Sequence, residues 1–131
     1  MSAKGRHVTL DYTGFTGEGQ WMLAVLQNAV ERSNVREVHA HVSEFDGTES
    51  PPGFAAMVLI DESHVSAHCY AEDGILAVDC FTCGVADPNV IADEIHQQLL
   101  ALTKGAQVIH QLQKLGKQFM IQILNNHSFI Y

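Results

Sequence analysis

Two strand-like segments at the centre of the chain are separated by only three polar residues, and this spacing constrains the fold more than any other feature. Phe54 to Ile60 is a continuous apolar run, as in a buried strand. Asp61-Glu62-Ser63 interrupts the run, after which His64 to Tyr70 alternates as a second strand. Asp73-Gly74 then predicts a hairpin turn, and Ile75 to Thr82 predicts its return strand. Strands joined by such short turns predict an antiparallel sheet.

Further strands and two amphipathic helices are predicted around this centre. The additional predicted strands are Arg6 to Thr13, Val35 to Phe45 and Gln107 to Leu112. One helix is predicted over Gln20 to Arg32. A second begins at Asp87-Pro88, where the carboxylate can cap the free amides, and runs to about Thr103 before Gly105. The side chains predicted to face the core from these elements are Trp21, Leu23, Leu26, Ala29, Val30, Val38, Ala40, Val42, Val90, Ile91, Ile95, Leu99 and Leu102.

The order of these elements predicts the fold class. Strands that are neighbours in sequence are joined by short turns, and the helices lie between groups of strands. We therefore predict an α+β fold, a two-layer α/β sandwich in which a mostly antiparallel sheet carries both helices on one face.

The composition limits the partners and the compartment. The 131 residues suffice for a single domain with its own core. The net charge is −8 and the seven Lys and Arg residues are scattered, so nucleic acid is not an expected partner. No apolar run approaches the ~20 residues of a membrane span, and no apolar segment typical of a secretion signal follows the first residues. Three cysteines, an odd number, predict free thiols in a reducing compartment, the cytoplasm.

The central segment is rich in reactive groups, and several site types can be weighed against its spacing. Cys80-Phe81-Thr82-Cys83 has the spacing of zinc and redox motifs, but strand positions three apart face opposite sides, and zinc needs a second ligand pair. Ser63 lacks the Gly-x-Ser-x-Gly turn of serine hydrolases. A serine between two buried strands, after a carboxylate and before an imidazole, can attack its own preceding peptide bond if the break is strained or tightly positioned.

Four motifs carry a resemblance to a known family. They are Gly5-Arg6-His7, Glu62-Ser63-His64 with His68, Glu72-x-Gly74, and Asp79-x-Phe81-Thr82-Cys83-Gly84. Together they resemble the small bacterial and archaeal class of S-adenosylmethionine decarboxylases, which make their own pyruvoyl cofactor. The resemblance extends from about Gly5 to the helix after Pro88, and the last ~20 residues carry no matching motif.

The resemblance implies that the chain cleaves itself between Glu62 and Ser63. The Ser63 hydroxyl would attack the Glu62 carbonyl, and elimination of the resulting ester would turn Ser63 into a pyruvoyl group, with His68 as the proton-transfer group. Residues 1–62 would become the β chain and residues 63–131 the α chain.

The resemblance also implies roles in decarboxylation. The substrate's α-amine would condense with the pyruvoyl carbonyl to form a Schiff base. The Schiff base would accept the electrons left by decarboxylation, as pyridoxal phosphate does. Cys83 would protonate the former α-carbon, Glu72 would bind the ribose hydroxyls and Phe45 would stack on adenine. No metal is implied, and the processed protomers would form a homodimer with active sites near the subunit interface. The pathway implied is polyamine biosynthesis.

The sequence departs from the family pattern upstream of the cleavage site. Ala55 stands where a serine that assists processing is expected, and Ser66 is a poor substitute by position. The Asp46 to Gly53 loop is longer than usual, so the adenine-stacking position falls on Phe45 or on Glu49, depending on the alignment. We favour Phe45, since that alignment keeps the strand intact.

These departures leave two alternatives open. L-arginine or L-ornithine would need a carboxylate for its distal cation, which Glu49, Asp46 or Asp73 can supply. The other alternative is an unprocessed regulatory homologue, in which the cut is not made.

Overall fold

The computed structural model describes residues 5–102, 107–115, 118–124 and 128–130, with side chains over residues 5–101. The strands are β1 (Arg6–Thr13), β2 (Glu37–Phe45), β3 (Gly53–Ile60), β4 (Ser63–Tyr70), β5 (Ile75–Thr82), β6 (Gln107–Leu115), β7 (Gln118–Leu124) and β8 (Ser128–Ile130). The helices are α1 (Gly19–Arg32) and α2 (Pro88–Leu102).

The strands form one antiparallel sheet in the order β2-β3-β4-β5-β1-β6-β7-β8. β3 and β4 pair in register along their whole length, from Ile60 opposite Ser63 to Gly53 opposite Tyr70. β4 is therefore an inner strand, hydrogen-bonded to β3 on one side and to β5 on the other.

Both helices pack on the same face of the sheet. α1 lies on β2 and β3, α2 lies on β1 and β5, and the two helices contact each other. Burial of apolar side chains between the two layers supplies the main favourable term for folding. The largest fully buried side chains include Tyr12, Phe15, Leu10, Met22, Leu26 and Leu76.

The opposite side of the sheet, which we call the open face, is not covered by either helix of the described chain. Because side chains alternate across a strand, the open face presents His7, Phe45, Met57, Leu59, His64, Ser66, His68, Tyr70, Asp79 and Phe81. Several of these are large and apolar yet exposed: Met57 is 41% accessible, Leu59 38% and Tyr70 49%. An antiparallel sheet tolerates one solvated face, so these exposed side chains are compatible with the fold of a single chain.

The predicted α+β class, with a two-layer sandwich and both helices on one face, is confirmed. The central strands and the second helix start as predicted, and Asp87 caps α2 because its Oδ1 accepts the Asn89 backbone N–H at 2.9 Å. That bond also lowers the pKa of Asp87. The C-terminal residues add more strand than predicted, since β6 extends to Leu115 and two further strands follow it. Thr103 and Gly105, the predicted end of α2, lie outside the described residues.

Some predicted core positions were wrong. Val38 is 54% exposed, because the pairing of the edge strand β2 is irregular between Glu37 and His39. Val90 is 49% exposed, because its neighbours Ile91 and Ala92 take the inward positions of α2. Two buried residues of α1 were missed in the predicted core, Met22 and Val25. In the described part of the chain, neither helix has the length and apolar character to cross a membrane.

Candidate active site

The predicted cleavage site lies in a tight turn between two inner strands. Asp61 and Glu62 are the only residues between Ile60 of β3 and Ser63 of β4, which pair with each other. Asp61 has a φ of 51°, a left-handed conformation that is uncommon for residues other than glycine. Its carboxylate accepts a hydrogen bond from Arg36 Nε at 3.1 Å, which holds the turn to the start of β2. The peptide bond before Ser63 is therefore in a constrained, externally braced loop.

Cys83 contacts both sides of that peptide bond. Its backbone N–H donates to Ser63 Oγ at 3.1 Å, and its thiol donates to the Glu62 carbonyl oxygen at 3.5 Å. The thiol sulfur also lies 3.7 Å from Ser63 Oγ. Ser63 itself is only 8% exposed, whereas Glu62 is exposed. The structure thus brings together three of the predicted residues, Glu62, Ser63 and Cys83, although they are about twenty positions apart in sequence.

The segment that carries Cys83 is anchored by side chains from two strands. Arg6 Nη2 of β1 and Thr82 Oγ1 of β5 both donate to the Ala86 carbonyl oxygen, at 2.7 Å and 2.9 Å. Thr82 is 1% exposed, so its hydroxyl is fixed within the fold. These contacts hold the turn after β5 against the sheet and so determine where the Cys83 thiol lies.

This arrangement suits an acyl shift. Ser63 provides a hydroxyl next to its own preceding carbonyl, and the Cys83 thiol donates to the oxygen on which negative charge would develop during attack. The backbone N–H of the same cysteine fixes the orientation of the hydroxyl. The hydroxyl is thus oriented by one hydrogen bond, and the neighbouring carbonyl oxygen accepts another from the thiol.

His68 does not lie near the Glu62-Ser63 peptide bond. It is exposed on the open face, opposite Ala55 of β3 and Ala77 of β5. It is five residues from Ser63 along an unbroken strand, which corresponds to about 16 Å at ~3.3 Å per residue. Within one chain the structure does not bring this histidine to the cleavage site.

The predicted substrate-binding residues are at the other end of the sheet. Phe45 and Glu49 both line a cavity of about 440 Å³ formed by the end of β2 and the following loop, together with Glu44, Asp46, Thr48 and Ser50. The two positions between which the alignment was ambiguous are thus neighbours in space. The Thr48 backbone N–H donates to Asp46 Oδ1 at 3.0 Å and lowers the pKa of that carboxyl.

Glu72 and Asp73 lie at the same end, in the turn between β4 and β5. Both are exposed, and the turn is closed by the Gly74 backbone N–H, which donates to the Ala71 carbonyl at 3.3 Å. Tyr70 and Ser63 bound β4, so this end is about 23 Å from the cleavage site at ~3.3 Å per residue.

The three cysteines have different environments. Cys69 and Cys80 are buried, and burial raises the pKa of both thiols, so they are neutral core residues. Cys83 is partly exposed beside Ser63. As the alternation predicted, Cys80 and Cys83 diverge, and the described residues include no cluster of three or more His, Cys, Asp or Glu side chains suited to a metal ion.

His7, His64 and Asp79 occur in the motifs described above, but the sequence predicted no role for them. In the structure Asp79 bridges the two imidazoles: its Oδ1 is 2.9 Å from His7 Nδ1, and its Oδ2 is 3.3 Å from His64 Nε2. Phe81 lies between the two rings, with centroids at 4.5 Å and 5.3 Å. The signal that could have revealed this group is the register, since His7 and His64 both pair with Phe81 across their strands.

Comparisons with known proteins identify the family. Residues 6–112 match a family model described as S-adenosylmethionine decarboxylase. A protein of Symbiobacterium thermophilum named S-adenosylmethionine decarboxylase proenzyme is 31% identical over 123 residues, covering 85% of this chain and 90% of that protein. A protein of the same name from Bacillus velezensis is 36% identical over 110 residues, covering 79% and 82%.

A solved structure supports the fold. The crystal structure of the adenosylmethionine decarboxylase from Aquifex aeolicus VF5 matches with a TM-score of 0.66, covering 98% of this chain and 99% of that one. The sequence identity is 23%, so this likeness bears on the fold alone. The family match extends beyond the motifs quoted above, through α2 and into β6.

Proposed function

The chain belongs to the S-adenosylmethionine decarboxylase family, and from that membership we propose that it is a self-processing, pyruvoyl-dependent enzyme that decarboxylates S-adenosylmethionine. The family model and both relatives carry this substrate in their names, so L-arginine, L-ornithine and an unprocessed regulatory role are not favoured. The observation that carries the proposal is the double contact of Cys83 with Glu62 and Ser63.

Self-cleavage would use residues already in contact. Ser63 Oγ attacks the Glu62 carbonyl carbon, the peptide C–N bond breaks, and an ester joins the two residues while Ser63 gains a free amine. The Cys83 thiol stabilises the developing charge on the Glu62 oxygen. Elimination then releases Glu62 as a carboxylate, with Oγ as one of its oxygens, and leaves a dehydroalanine. Addition of water and loss of ammonia give the pyruvoyl group, so that residues 1–62 and 63–131 become separate chains.

The surroundings of Ser63 fit a group formed there. Ser63 is 8% exposed and begins an inner strand, so a carbonyl at this position is shielded from bulk water. A pyruvoyl carbonyl supplies an electron sink for the decarboxylation of an α-amino acid. The Cys83 sulfur, 3.7 Å from Ser63 Oγ, is positioned to deliver a proton to the carbon that has lost carbon dioxide.

We further propose that the protein acts as a homodimer through the open face. Glu72 and Phe45 are about 23 Å from Ser63 along the strands. This distance is too great for these residues and Ser63 of the same chain to contact one small substrate molecule. Stacking two open faces about a two-fold axis that runs across the strands would place the far end of one sheet over the Ser63 end of the other. The exposed side chains of Met57 and Leu59 supply apolar surface for that contact.

In this dimer the site would be shared. His68 of the partner subunit would reach the cleavage site and serve in proton transfer, while the partner's Glu72 would bind the ribose hydroxyls. Phe45 is favoured over Glu49 for stacking on adenine because its ring ends β2 on the open face, whereas Glu49 lies in the loop beyond it. The exposure of His68 in the single chain is consistent with a role toward a second copy.

Mixing two inactive variants tests this arrangement. Ser63→Ala and His68→Ala chains, each uncleaved alone, are co-refolded, and cleavage is followed by mass spectrometry. A shared site predicts that the His68→Ala chain is cut, because the Ser63→Ala chain supplies its histidine. If that chain stays intact in mixed dimers, His68 does not act across the interface. Carbon dioxide release from S-adenosylmethionine, L-arginine and L-ornithine, measured in parallel, tests the substrate.

A further inference from the structure

We infer that His7, Asp79 and His64 form a clamp that holds the start of β4 in place after the chain has been cut. The inference rests on the proposed cleavage between Glu62 and Ser63. It assigns positioning roles, not catalytic ones, to three side chains on the open face, none of which contacts Ser63 in the described structure.

The clamp ties three neighbouring strands together. His64 is on β4, Asp79 on β5 and His7 on β1, and the carboxylate is the shared acceptor between the two imidazoles. Since an ionised carboxylate only accepts, His7 carries its proton on Nδ1 and His64 on Nε2. Hydrogen bonds to a charged acceptor are stronger than neutral ones, and the side chains of Asp79 and His64 are only 29% and 31% exposed.

Phe81 and Gly5 complete the clamp. The Phe81 ring fills the space between the two imidazoles, 4.5 Å from His7 and 5.3 Å from His64. Gly5 packs directly beneath this ring, and a β-carbon at that position would overlap it. All three residues of the Gly5-Arg6-His7 motif therefore support the cleavage site. The glycine leaves room for the Phe81 ring, the arginine anchors the segment that carries Cys83, and the histidine bonds the Asp79 carboxylate.

Cleavage makes this clamp necessary because it removes two tethers at once. Before the cut, Ser63 is joined through the Asp61-Glu62 turn to β3, and its Oγ accepts the Cys83 backbone N–H. The peptide bond is lost in the cut, and Oγ departs with Glu62. Newly formed chain ends fray unless they are tied down. His64 is then the first residue with a side chain still tethered, and its backbone nitrogen is the amide nitrogen of the pyruvoyl group.

The test compares cleaved and uncleaved protein. Asp79→Ala is made in the wild-type chain and in the Ser63→Ala chain, and hydrogen exchange is measured over the first residues of β4. In the cleaved protein we expect exchange about fivefold faster, because the substitution removes the one partly exposed charge-assisted bond that ties the side chain of His64 to β5. In the uncleaved background the change should stay within about twofold, because the turn still holds the strand.

Activity gives the second readout. Asp79→Ala should be cleaved completely yet lose about tenfold in kcat, because the pyruvoyl group at the start of β4 would be held less firmly. Asp79→Asn, which keeps one acceptor oxygen, should recover part of the loss. His7→Ala removes only the outer, 43% exposed imidazole, so it is the milder variant should Asp79→Ala fail to fold. Asp93→Ala, which removes an exposed carboxylate on α2 away from the open face, is the matched control and should change neither readout.

The outcomes separate the two proposals. Equal exchange in cleaved wild-type and cleaved Asp79→Ala protein would overturn the clamp. So would an equal increase in the cleaved and uncleaved backgrounds, which would mean that the contact merely stabilises the fold. A wild-type chain that stays uncut would overturn the self-processing proposal, and the clamp with it.

Discussion

Replacing Cys83 with alanine should slow self-cleavage without preventing it. The substitution removes the thiol that donates to the Glu62 oxygen at 3.5 Å, but it keeps the backbone N–H that holds Ser63 Oγ. A full oxyanion donor is worth about 2.7–4 kcal/mol. A thiol is a weak donor, and this one is partly exposed, so we expect a loss of about 1.4 kcal/mol, or tenfold in rate.

The rate can be followed by cell-free synthesis of the chain, with samples quenched in acid and analysed by mass spectrometry. Cys83→Ser retains a donor and should be cut at a rate within a few fold of wild type. Cys80→Ala is the matched control, since it deletes a thiol three residues away that faces the core. If Cys83→Ala were cleaved as fast as the wild-type chain, the thiol would have no part in stabilising the Glu62 oxygen. Once cleaved, the Cys83→Ala protein should decarboxylate its substrate more slowly than the wild-type protein, because it lacks the proton donor.

Three further predictions concern processing, pH and the backbone. Ala55→Ser places a hydroxyl opposite His68 and should accelerate cleavage several-fold; an unchanged rate would show that this position does not assist the cut. Burial lowers the pKa of His96, so the unfolded chain takes up a proton at higher pH than the folded chain, and the free energy of unfolding should fall as the pH drops below about 6.5. In His96→Gln the free energy of unfolding, measured in urea at several pH values, should depend less on pH than in the wild-type chain. Gly53 has a φ of 152° and packs against the Cys69 carbonyl oxygen, so Gly53→Ala should cost more than about 2 kcal/mol in the free energy of unfolding, and a normal melting temperature would contradict this.

Much of the fold followed from the periodicity of the sequence. The alternation of β4 and the Asp73-Gly74 turn are local signals, and both predicted the observed elements. The register of a hairpin is set by its turn and its apolar face, so the pairing of Ser63 with Ile60 could also be predicted from the sequence. The errors were at an edge strand and on a helix flank, where Val38 and Val90 are exposed by irregular pairing and by neighbouring residues.

The site was harder to predict from the sequence than the fold, because it depends on contacts between distant segments. That Cys83 and Glu62 meet required knowing that β4 and β5 pair in a particular register. The bridge between His7 and His64 could not be predicted for the same reason, since it spans three strands and joins residues as far as 72 positions apart. The distance between His68 and Ser63, by contrast, could be predicted, since five residues of a predicted strand separate them.

The intact masses of the purified protein test the central proposal most directly. Self-processing predicts two chains, residues 1–62 ending in a free carboxylate and residues 63–131 beginning with a pyruvoyl group. Their summed mass should equal that of the uncut chain plus one water and minus one ammonia. The Ser63→Ala chain should give a single full-length mass. A single full-length mass for the wild-type chain under all conditions would contradict the account.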